Sequence, residues 1–533
     1  MTEEGFIVLV TDKVSAAGLE PFGTDDRFEI IQVDDSSSPE FEEALGRAHG
    51  LVVRSATKVR GNLLAKAPNL RVVGRAGVGV DNIDLDAATA RGVAVLNAPA
   101  GNTVSAAELT LALMMALVRQ VAEADASVRR GEWKRSKFQG VELRGRTLGL
   151  IGAGRIGGTV AKRCKAFRMR VLAYDPYLTD ERAHDLGVER AELDTVIESA
   201  DVLSLHVPLT DSTRNLIDAD ALSRMKKGAY IVNVARGGVV DEAALAAALA
   251  SGHIAGAALD VYGNEPLEAE SPLRTAPNTV LTPHLGASTA EAQELVATEI
   301  AEAVRDALSK GDLSRALNAP AIGSETLRAL GPLFGLGRQL GFLGCALAPG
   351  GLLEVEIRYA GGSDEALRPL TNYVLVGLLE NILGRDQVNF VSAGHLAKQR
   401  GIGVSRTTLS RHANYTEYVE VAIKAERGEL KLAGALLGDA HPRVVRIADY
   451  HVDVVPEGTL IVLKNDDVPG VIGRVGTILG EHGINIAGYH QARLAKGGDA
   501  LAAVVVDSDV SQEVRDALLE LDEVTSAVVV ALG

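Results

Sequence analysis

The residues best able to do chemistry are a glycine loop, Gly152-Ala153-Gly154-Arg155-Ile156-Gly157, and three polar residues that follow it in order, Arg236, Glu265 and His284. The loop comes after the apolar run Leu148-Gly149-Leu150-Ile151 and before a helix-like stretch to Phe167. In that setting Gly152 permits a tight strand-to-helix turn, and Gly154 lets the backbone approach a pyrophosphate. Gly157 lets the helix pack close to the sheet, with the helix N-terminus facing the phosphates. Asp175 ends the next strand-like run. A carboxylate there accepts hydrogen bonds from an adenosine ribose and repels a 2′-phosphate, which favours NAD over NADP.

Hydride transfer to a ketone leaves charge on oxygen, so a proton must arrive there. Histidine, with an ordinary pKa of about 6.5, suits the task. A nearby glutamate favours the protonated imidazole and fixes its orientation. An arginine grips a carboxylate through two parallel hydrogen bonds. His284 lies in Thr282-Pro283-His284-Leu285-Gly286-Ala287, just past a strand-like run, where sheet ligands gather. His206 also ends such a run, and is expected to line a nicotinamide-side pocket or to pack. No His, Asp or Glu cluster has metal-ligand spacing, so no metal is expected.

At about 150 residues per domain, 533 residues make three or four domains. Hydrophobic content of 47% and charged content of 23% fit a globular protein. The net charge of -16 disfavours nucleic acid and anionic membranes as partners, both of which attract a basic face. A local cluster of arginines remains compatible with a phosphorylated substrate. Cys164 and Cys345 are too few for a disulfide framework or a thiolate metal site, which points to a reducing cytoplasm. The N-terminus runs into a strand-like segment without a signal pattern. Arg338, Gln339 and several glycines interrupt the apolar stretch near Leu330 to Leu353, which therefore reads as a buried helix.

The reactive side chains need sheets to carry them. Residues 6–10, 50–53, 71–74 and 93–96 read as buried strands separated by helical patterns, the alternation of a parallel sheet covered on both faces. Residues 105–130, free of Gly and Pro, read as one long helix. A second alternating unit has strands over 147–151, 170–174, 202–206, 230–234, 255–260 and 279–281, closed by a helix over 290–309. Asn318-Ala319-Pro320 marks a boundary, and residues 322–455 are mixed, with a strand over 352–359 and a helix over 367–383. After Pro456-Glu457-Gly458 the order is the βαββαβ of a ferredoxin-like domain.

The glycine loop, Asn233-Val234-Ala235-Arg236-Gly237-Gly238, Asp260-Val261-Tyr262 with Glu265-Pro266, and Thr282-Pro283-His284 together resemble the D-isomer-specific 2-hydroxyacid dehydrogenases over most of residues 1–320. The resemblance implies Arg236 as ligand of the substrate carboxylate, Glu265 as orienter and His284 as acid and base. It also implies that Arg155, Ile156, His206, Pro208, Thr213, Val234, Ala235, Asp260 and Gly286 join the glycines, Asp175, Arg236 and His284 around NAD. The implied fold is α/β. A Rossmann-type nucleotide-binding domain (102–290) is inserted in a flavodoxin-like substrate domain (1–101 and 291–320), with the active site in the cleft between them.

Three further segments resemble the phosphoglycerate dehydrogenase branch of that family: Val53-Arg54-Ser55-Ala56-Thr57-Lys58-Val59, Gly74-Arg75-Ala76-Gly77-Val78-Gly79-Val80-Asp81-Asn82-Ile83-Asp84 and Asn97-Ala98-Pro99-Ala100-Gly101-Asn102-Thr103. Arg54, Ser55, Arg75, the backbone at Gly77, and Asn102 are then expected to hold carboxylate or phosphate. Arg135 and Lys137, beside Trp133, are candidate phosphate contacts to a neighbouring subunit, or else a solvated basic loop. Val388-Asn389-Phe390-Val391-Ser392-Ala393 and Ala397-Lys398-Gln399-Arg400-Gly401-Ile402 resemble that branch's α+β intervening domain (321–455). Asp467-Val468-Pro469-Gly470-Val471-Ile472-Gly473-Arg474-Val475-Gly476 and Gly483-Ile484-Asn485-Ile486 resemble an ACT domain (456–533). ACT domains pair side by side and bind small amino acids. Asn465, Asp467 and Asn485 match effector positions, although the histidine frequent at the position matched to Asn465 is absent.

The branch implies NAD-dependent oxidation of D-3-phosphoglycerate to 3-phosphohydroxypyruvate, the entry to serine synthesis. It also implies L-serine as effector and a homo-oligomer, dimer or tetramer. Two readings compete. A hydroxypyruvate or glyoxylate reductase of the same family is opposed by the ACT-like tail. An NAD-sensing corepressor is opposed by that tail and by the lack of a recognisable peptide-docking extension.

Overall fold

The computed structural model describes residues 5–532 other than 411, 413 and 439, and the side chain of residue 364 is left aside. Strands β1 (Phe6–Val10), β2 (Phe28–Gln32), β3 (Gly50–Val53), β4 (Val72–Arg75) and β5 (Ala94–Asn97) form a parallel sheet in the order β2-β1-β3-β4-β5. β3 is buried at every position, which is why it reads as an unbroken apolar run. β2 adds to the sequence expectation. It lies at the sheet edge with no fully buried residue, so its pattern carries little signal. The helix Ala290–Lys310 returns from far down the chain to cover this sheet. Its Val296, Ala297, Ile300, Ala301 and Val304 pack with Val8, Val10, Val52, Val72 and Leu96. Thr289 caps its start by accepting the Ala292 N–H, and Gly311, in the left-handed conformation, ends it.

A second parallel sheet contains β6 (Thr147–Ile151), β7 (Arg170–Tyr174), β8 (Glu189–Arg190), β9 (Val202–Leu205), β10 (Ala229–Asn233), β11 (Ile254–Leu259) and β12 (Thr279–Leu281). Its order is β12-β11-β10-β9-β6-β7-β8, so the winding direction reverses between β6 and β9. One face packs on the helices Thr103–Val118 and Arg155–Ala166 through Leu113, Met114, Leu117, Val160 and Cys164.

The single helix expected over 105–130 is instead two, Thr103–Val118 and Val121–Arg129, bent by 63°. Gln120 takes the left-handed conformation at φ 51°. The Val118 carbonyl accepts the Val141 N–H at 3.0 Å, so a returning segment takes the acceptor that the next helical turn would use. Composition alone does not reveal such a tertiary competitor.

The remaining chain forms two sheets. β13 (Leu352–Ala360), β14 (Gly403–Thr408), β15 (Glu417–Ala425), β16 (Gly428–Leu437), β17 (His441–Ile447) and β18 (Tyr450–Val454) run in the order β14-β13-β15-β16-β17-β18. The helices Gly331–Leu347 and Leu367–Leu383 stack on this sheet. The first of them is the buried helix expected near Leu330, and among the described residues no single helix is long and apolar enough to cross a membrane. β19 (Thr459–Asp466), β20 (Ile486–Arg493), β21 (Asp499–Val506) and β22 (Val524–Ala531) form the antiparallel sheet β20-β21-β19-β22 with helices Val471–Glu481 and Gln512–Leu519, the expected βαββαβ order. Leu460, Val462, Leu501, Ala503 and Val530 of this sheet join Leu333, Leu336, Leu340 and Leu343 in one apolar core, so the last two units pack as a continuous body.

Candidate active site

Most of the predicted catalytic residues gather just past the C-terminal ends of parallel strands, where open α/β sheets bind ligands. Arg54 follows β3, Arg75 ends β4, Gly152 follows β6, and Asp175 follows β7. His206 follows β9, Arg236 lies after β10, Asp260 follows β11 and His284 lies after β12.

The glycine loop has the shape of a dinucleotide cradle. Gly152 has φ 92°, and a Cβ on it would stand 2.5 Å from the His206 carbonyl oxygen. Gly154 caps the twelve-residue helix Arg155–Ala166, and a Cβ on it would meet nothing within 4 Å, so the helix N-terminus is open to a phosphate. Asp175 Oδ2 accepts the Ala153 N–H at 2.9 Å and Oδ1 accepts that of Tyr177 at 2.9 Å, which holds the carboxylate at the rim of the loop. Burial pushes the His206 imidazole down to about 4, and its Nε2 lies 2.9 Å from Ser204 Oγ, so the ring is neutral. Thr213 Oγ1 donates to the Pro208 carbonyl at 2.6 Å and accepts the Thr210 N–H at 2.8 Å, closing a compact turn beside it. These residues fit NAD.

His284 is held in an uncommon backbone conformation, φ 56°, with its N–H donating to the Asp260 carbonyl at 2.9 Å. The buried Asp260 carboxylate gathers the same loop. It accepts from Thr282 Oγ1 at 2.6 Å and from the N–H groups of Leu285 at 2.7 Å and Gly286 at 2.9 Å. Burial raises the Asp260 pKa against those hydrogen bonds and the His284 charge. Ser105 Oγ ties the Gly286 carbonyl at 2.9 Å, and Val234 packs beside Gly286.

Glu265, joined to Pro266 by a cis peptide bond, places Oε2 2.7 Å from His284 Nδ1 and accepts the Tyr262 N–H on Oε1 at 3.1 Å. Burial would raise its pKa. The hydrogen bond and charge of His284, the Tyr262 amide and Arg236 together outweigh that and leave it below the ordinary carboxylate value. With Nδ1 occupied, Nε2 is the nitrogen available to a substrate.

Asn233 shapes the turn that presents Arg236. Its Oδ1 accepts the Ala235 N–H at 3.0 Å and its Nδ2 donates to the Arg236 carbonyl at 2.9 Å. Arg236 Nη1 donates to the Ala235 carbonyl at 2.6 Å, and Nε lies 3.3 Å from Asp81 Oδ2. Arg75 shares the cleft. Burial lowers its pKa to about 10, repulsion from Arg236 and Arg54 adds to that, and Asp81 and Asp12 oppose it. Arg75 Nε is buried without a hydrogen-bond partner, as is Asn102 Oδ1. Three converging guanidiniums with an unmatched donor suit an anionic substrate.

Sequence reasoning missed the residues that brace this cluster. Asp12 accepts from the N–H groups of Arg54 at 2.9 Å and Thr57 at 3.0 Å, and from Thr57 Oγ1 at 2.6 Å. Asn82 Nδ2 donates to the Arg54 and Thr57 carbonyls at 2.8 and 2.7 Å. The available signal was a polar pair, Thr11-Asp12, at a strand end, and Asp81-Asn82 inside a recognised motif.

Other predicted residues stand apart. Arg135 and Lys137 form an exposed turn, and within this chain neither makes a hydrogen bond or ion pair to the arginine cluster among the described residues. Trp133 beside them is 80% exposed. Ser55 is exposed, and Gly77 (φ 144°) lies against the Arg75 guanidinium. In the last unit, Asp467 Oδ2 accepts from Arg493 Nη1 at 2.8 Å and from the Gly497 N–H at 3.0 Å, while Asn485 Nδ2 donates to Asp507 Oδ2 at 2.5 Å. Asn465 is buried with Oδ1 unpartnered.

Three stretches of the chain match known families. Residues 111–286 match the NAD binding domain of D-isomer specific 2-hydroxyacid dehydrogenases, residues 329–448 the D-3-phosphoglycerate dehydrogenase intervening domain, and residues 459–523 the ACT domain. The chain is 40% identical to the D-3-phosphoglycerate dehydrogenase of Archaeoglobus fulgidus, covering 98% of this chain and 100% of the relative. It is 39% identical to that of Bacillus subtilis, over 99% and 100% respectively. Among solved structures, the D-lactate dehydrogenase of Aquifex aeolicus complexed with NAD and lactic acid is similar at 32% identity and a TM-score of 0.52, covering 59% of this chain and 100% of that one. The NAD-dependent formate dehydrogenase of Staphylococcus aureus in complex with NAD is similar at 32% identity and a TM-score of 0.51, covering 57% and 95%.

Proposed function

The chain belongs to the D-3-phosphoglycerate dehydrogenase family, and on that premise we propose that it oxidises D-3-phosphoglycerate to 3-phosphohydroxypyruvate as the first step of L-serine synthesis. It is an NAD-dependent oxidoreductase with an ACT domain. The observation that carries the substrate reading is the His284–Glu265 couple at 2.7 Å in the same cleft as Arg54, Arg75 and Arg236.

In this reading Arg236 grips the substrate carboxylate, and Arg54, Ser55, Arg75, the Gly77 backbone and Asn102 take the remaining anionic and polar groups. NAD, when bound, would supply the acceptor for the hydride from C2. Residues Gly152 to Gly157 would hold its pyrophosphate, and Asp175 its adenosine ribose. His284 Nε2 takes the C2 hydroxyl proton. Glu265 keeps Nδ1 hydrogen-bonded and stabilises the imidazolium that forms, so the same histidine returns the proton in the reverse direction. Neutral His206 packs against the glycine loop and adds no positive charge there.

The domain division follows the same reading: a substrate domain of residues 1–101 and 291–320, a nucleotide domain of 102–290, an intervening domain of 321–455 and a regulatory domain of 456–533. Arg135 and Lys137 then reach the substrate phosphate of a neighbouring subunit in a cytoplasmic homo-oligomer, dimer or tetramer. Asn465, Asp467 and Asn485 bind L-serine. The test is NADH formation from D-3-phosphoglycerate and NAD, with L-serine titrated in. Equal turnover of unphosphorylated 2-hydroxy acids would remove phosphoglycerate as the preferred substrate.

A further inference from the structure

Arg236 rises from the loop after β10 and Asp81 from the loop after β4, so their ion pair joins the two parallel-sheet units across the cleft. The pair sits directly on Gly79. A Cβ there would come 1.8 Å from Arg236 Nη2 and 2.8 Å from Asp81 Oδ2, so the guanidinium fills the space a side chain would need.

A guanidinium grips a carboxylate best through two N–H groups on one edge. The Nη1–Nη2 edge of Arg236 already commits Nη1 to the Ala235 carbonyl at 2.6 Å. On the Nε–Nη2 edge the only ionic partner among the described residues is Asp81. Asp81 is lightly held: its side chain is 72% exposed and the ion pair measures 3.3 Å. Asp12, the other carboxylate of the cluster, is fixed by three hydrogen bonds from Arg54 and Thr57. One acid is therefore framework, and the other is able to leave.

We propose that Asp81 is a built-in competitor for the substrate carboxylate at the Nε–Nη2 edge of Arg236. It occupies that edge before an anion arrives, and swings into solvent when the substrate binds. The proposal rests on Arg236 being the carboxylate ligand. Displacing Asp81 subtracts from substrate binding, and it does so equally in the ground and transition states, since both keep the carboxylate on Arg236. Removing the competitor therefore lowers KM and leaves kcat nearly unchanged.

The test uses the full-length chain at constant ionic strength, comparing wild type with Asp81→Asn and Asp81→Glu. Initial rates of NADH formation are measured against D-3-phosphoglycerate and against NAD. Asp81→Asn is expected to lower the KM for the hydroxy acid about two- to fivefold, the scale of an exposed ion pair, with kcat changed by less than about twofold and the KM for NAD unchanged. Asp81→Glu, which keeps the charge, is expected to bring KM back toward wild type. An Asp81→Asn variant with raised KM and lowered kcat would mean that Asp81 positions Arg236, which overturns the proposal; an unchanged KM overturns it as well. Both substitutions replace an exposed side chain, and melting temperatures check that the fold is kept. Failure of the wild type to turn over phosphoglycerate would strike the substrate reading alone. The same KM comparison with the 2-hydroxy acid it does oxidise then decides the role of Asp81.

Discussion

Nδ1 of His284 lies 2.7 Å from Oε2 of Glu265, and the two residues stand on separate loops, after β12 and after β11. The two loops are held together by Asp260, whose carboxylate collects Thr282, Leu285 and Gly286, and by Tyr262, whose hydroxyl lies 3.0 Å from both the Leu259 and Thr282 carbonyl oxygens and shares its one proton between them. The imidazole is thus oriented before any substrate arrives. Preorganisation of this kind lets a proton be taken without rearrangement in the transition state.

His284→Ala is expected to lower kcat about 10²- to 10⁴-fold, the usual worth of a positioned acid-base group, while NAD affinity measured by calorimetry stays near wild type. Glu265→Gln is expected to cost less, because Nε2 remains in place. It also changes acid stability. The folded pKa of Glu265 is depressed, so its ionised form stabilises the protein above the unfolded value and that contribution is lost as pH falls through the folded value. Urea unfolding at a series of pH values below neutrality should therefore show a shallower acid decline in Glu265→Gln than in wild type. Parallel declines would remove the linkage.

Arg236→Lys keeps the charge and loses the fork. A charge-assisted hydrogen bond contributes about 1.5–3 kcal/mol, so kcat/KM should fall about 10- to 100-fold. If the lysine variant matched wild type, a point charge would suffice and bidentate recognition would be wrong.

His206 titrates far below the ordinary histidine range, with a folded value of about 4 set by burial. Between about 4 and about 6.5 the unfolded chain binds the proton and the folded chain does not, so stability declines as pH is lowered through that window. His206→Gln should reduce the decline. Ring resonances of His206 followed by NMR should stay in the neutral form down to about pH 5, and a midpoint near 6.5 would contradict the burial argument.

The glycine loop, the strands on either side of it along the chain and the last βαββαβ unit were legible in the sequence because periodicity and turn chemistry are local. Leu148 to Ile151 is buried throughout and Gly152 takes a positive φ, so residue type alone announces the turn. Asp12 and Asp81 were not legible as site residues. Each acts on partners distant in sequence, Arg54 and Thr57 for one and Arg236 for the other, and nothing in a polar residue at a strand end names its partner. The break at Gln120 was hidden for the same reason, since it depends on Val141 returning to Val118. Arg135 and Lys137 remain exposed in one chain, where a site built from two chains would leave them.

The path by which L-serine would act can be tested at Asn389. The sheet β20-β21-β19-β22 shares its core with the helix Gly331–Leu347, so a ligand that shifts the last unit also loads the one before it. That body meets the first sheet through a short segment. Asn389 Nδ2 donates to the Gly92 carbonyl at 2.8 Å, Asn372 on the helix Leu367–Leu383 holds the Phe390 carbonyl at 2.8 Å, and Val391 enters the core under β1, β4 and β5. Gly92 has φ 70°, and a Cβ on it would stand 2.2 Å from Asn389 Nδ2, so the contact is close and specific. Gly92 leads into β5, and at the far end of that strand Asn97 Nδ2 holds the Val78 carbonyl at 2.7 Å, in the loop that carries Gly79 and Asp81. Asn389→Ala removes the hydrogen bond to Gly92 and the two its Oδ1 accepts from the Val391 and Ser392 N–H groups at 3.0 Å, each worth about 1 kcal/mol, and touches no residue of the cleft. Its kcat without serine should match wild type, and its serine titration should shift to several-fold higher concentration, because coupling needs a contact that differs between two states. Superimposable serine titrations for the two proteins would exclude this segment as the route.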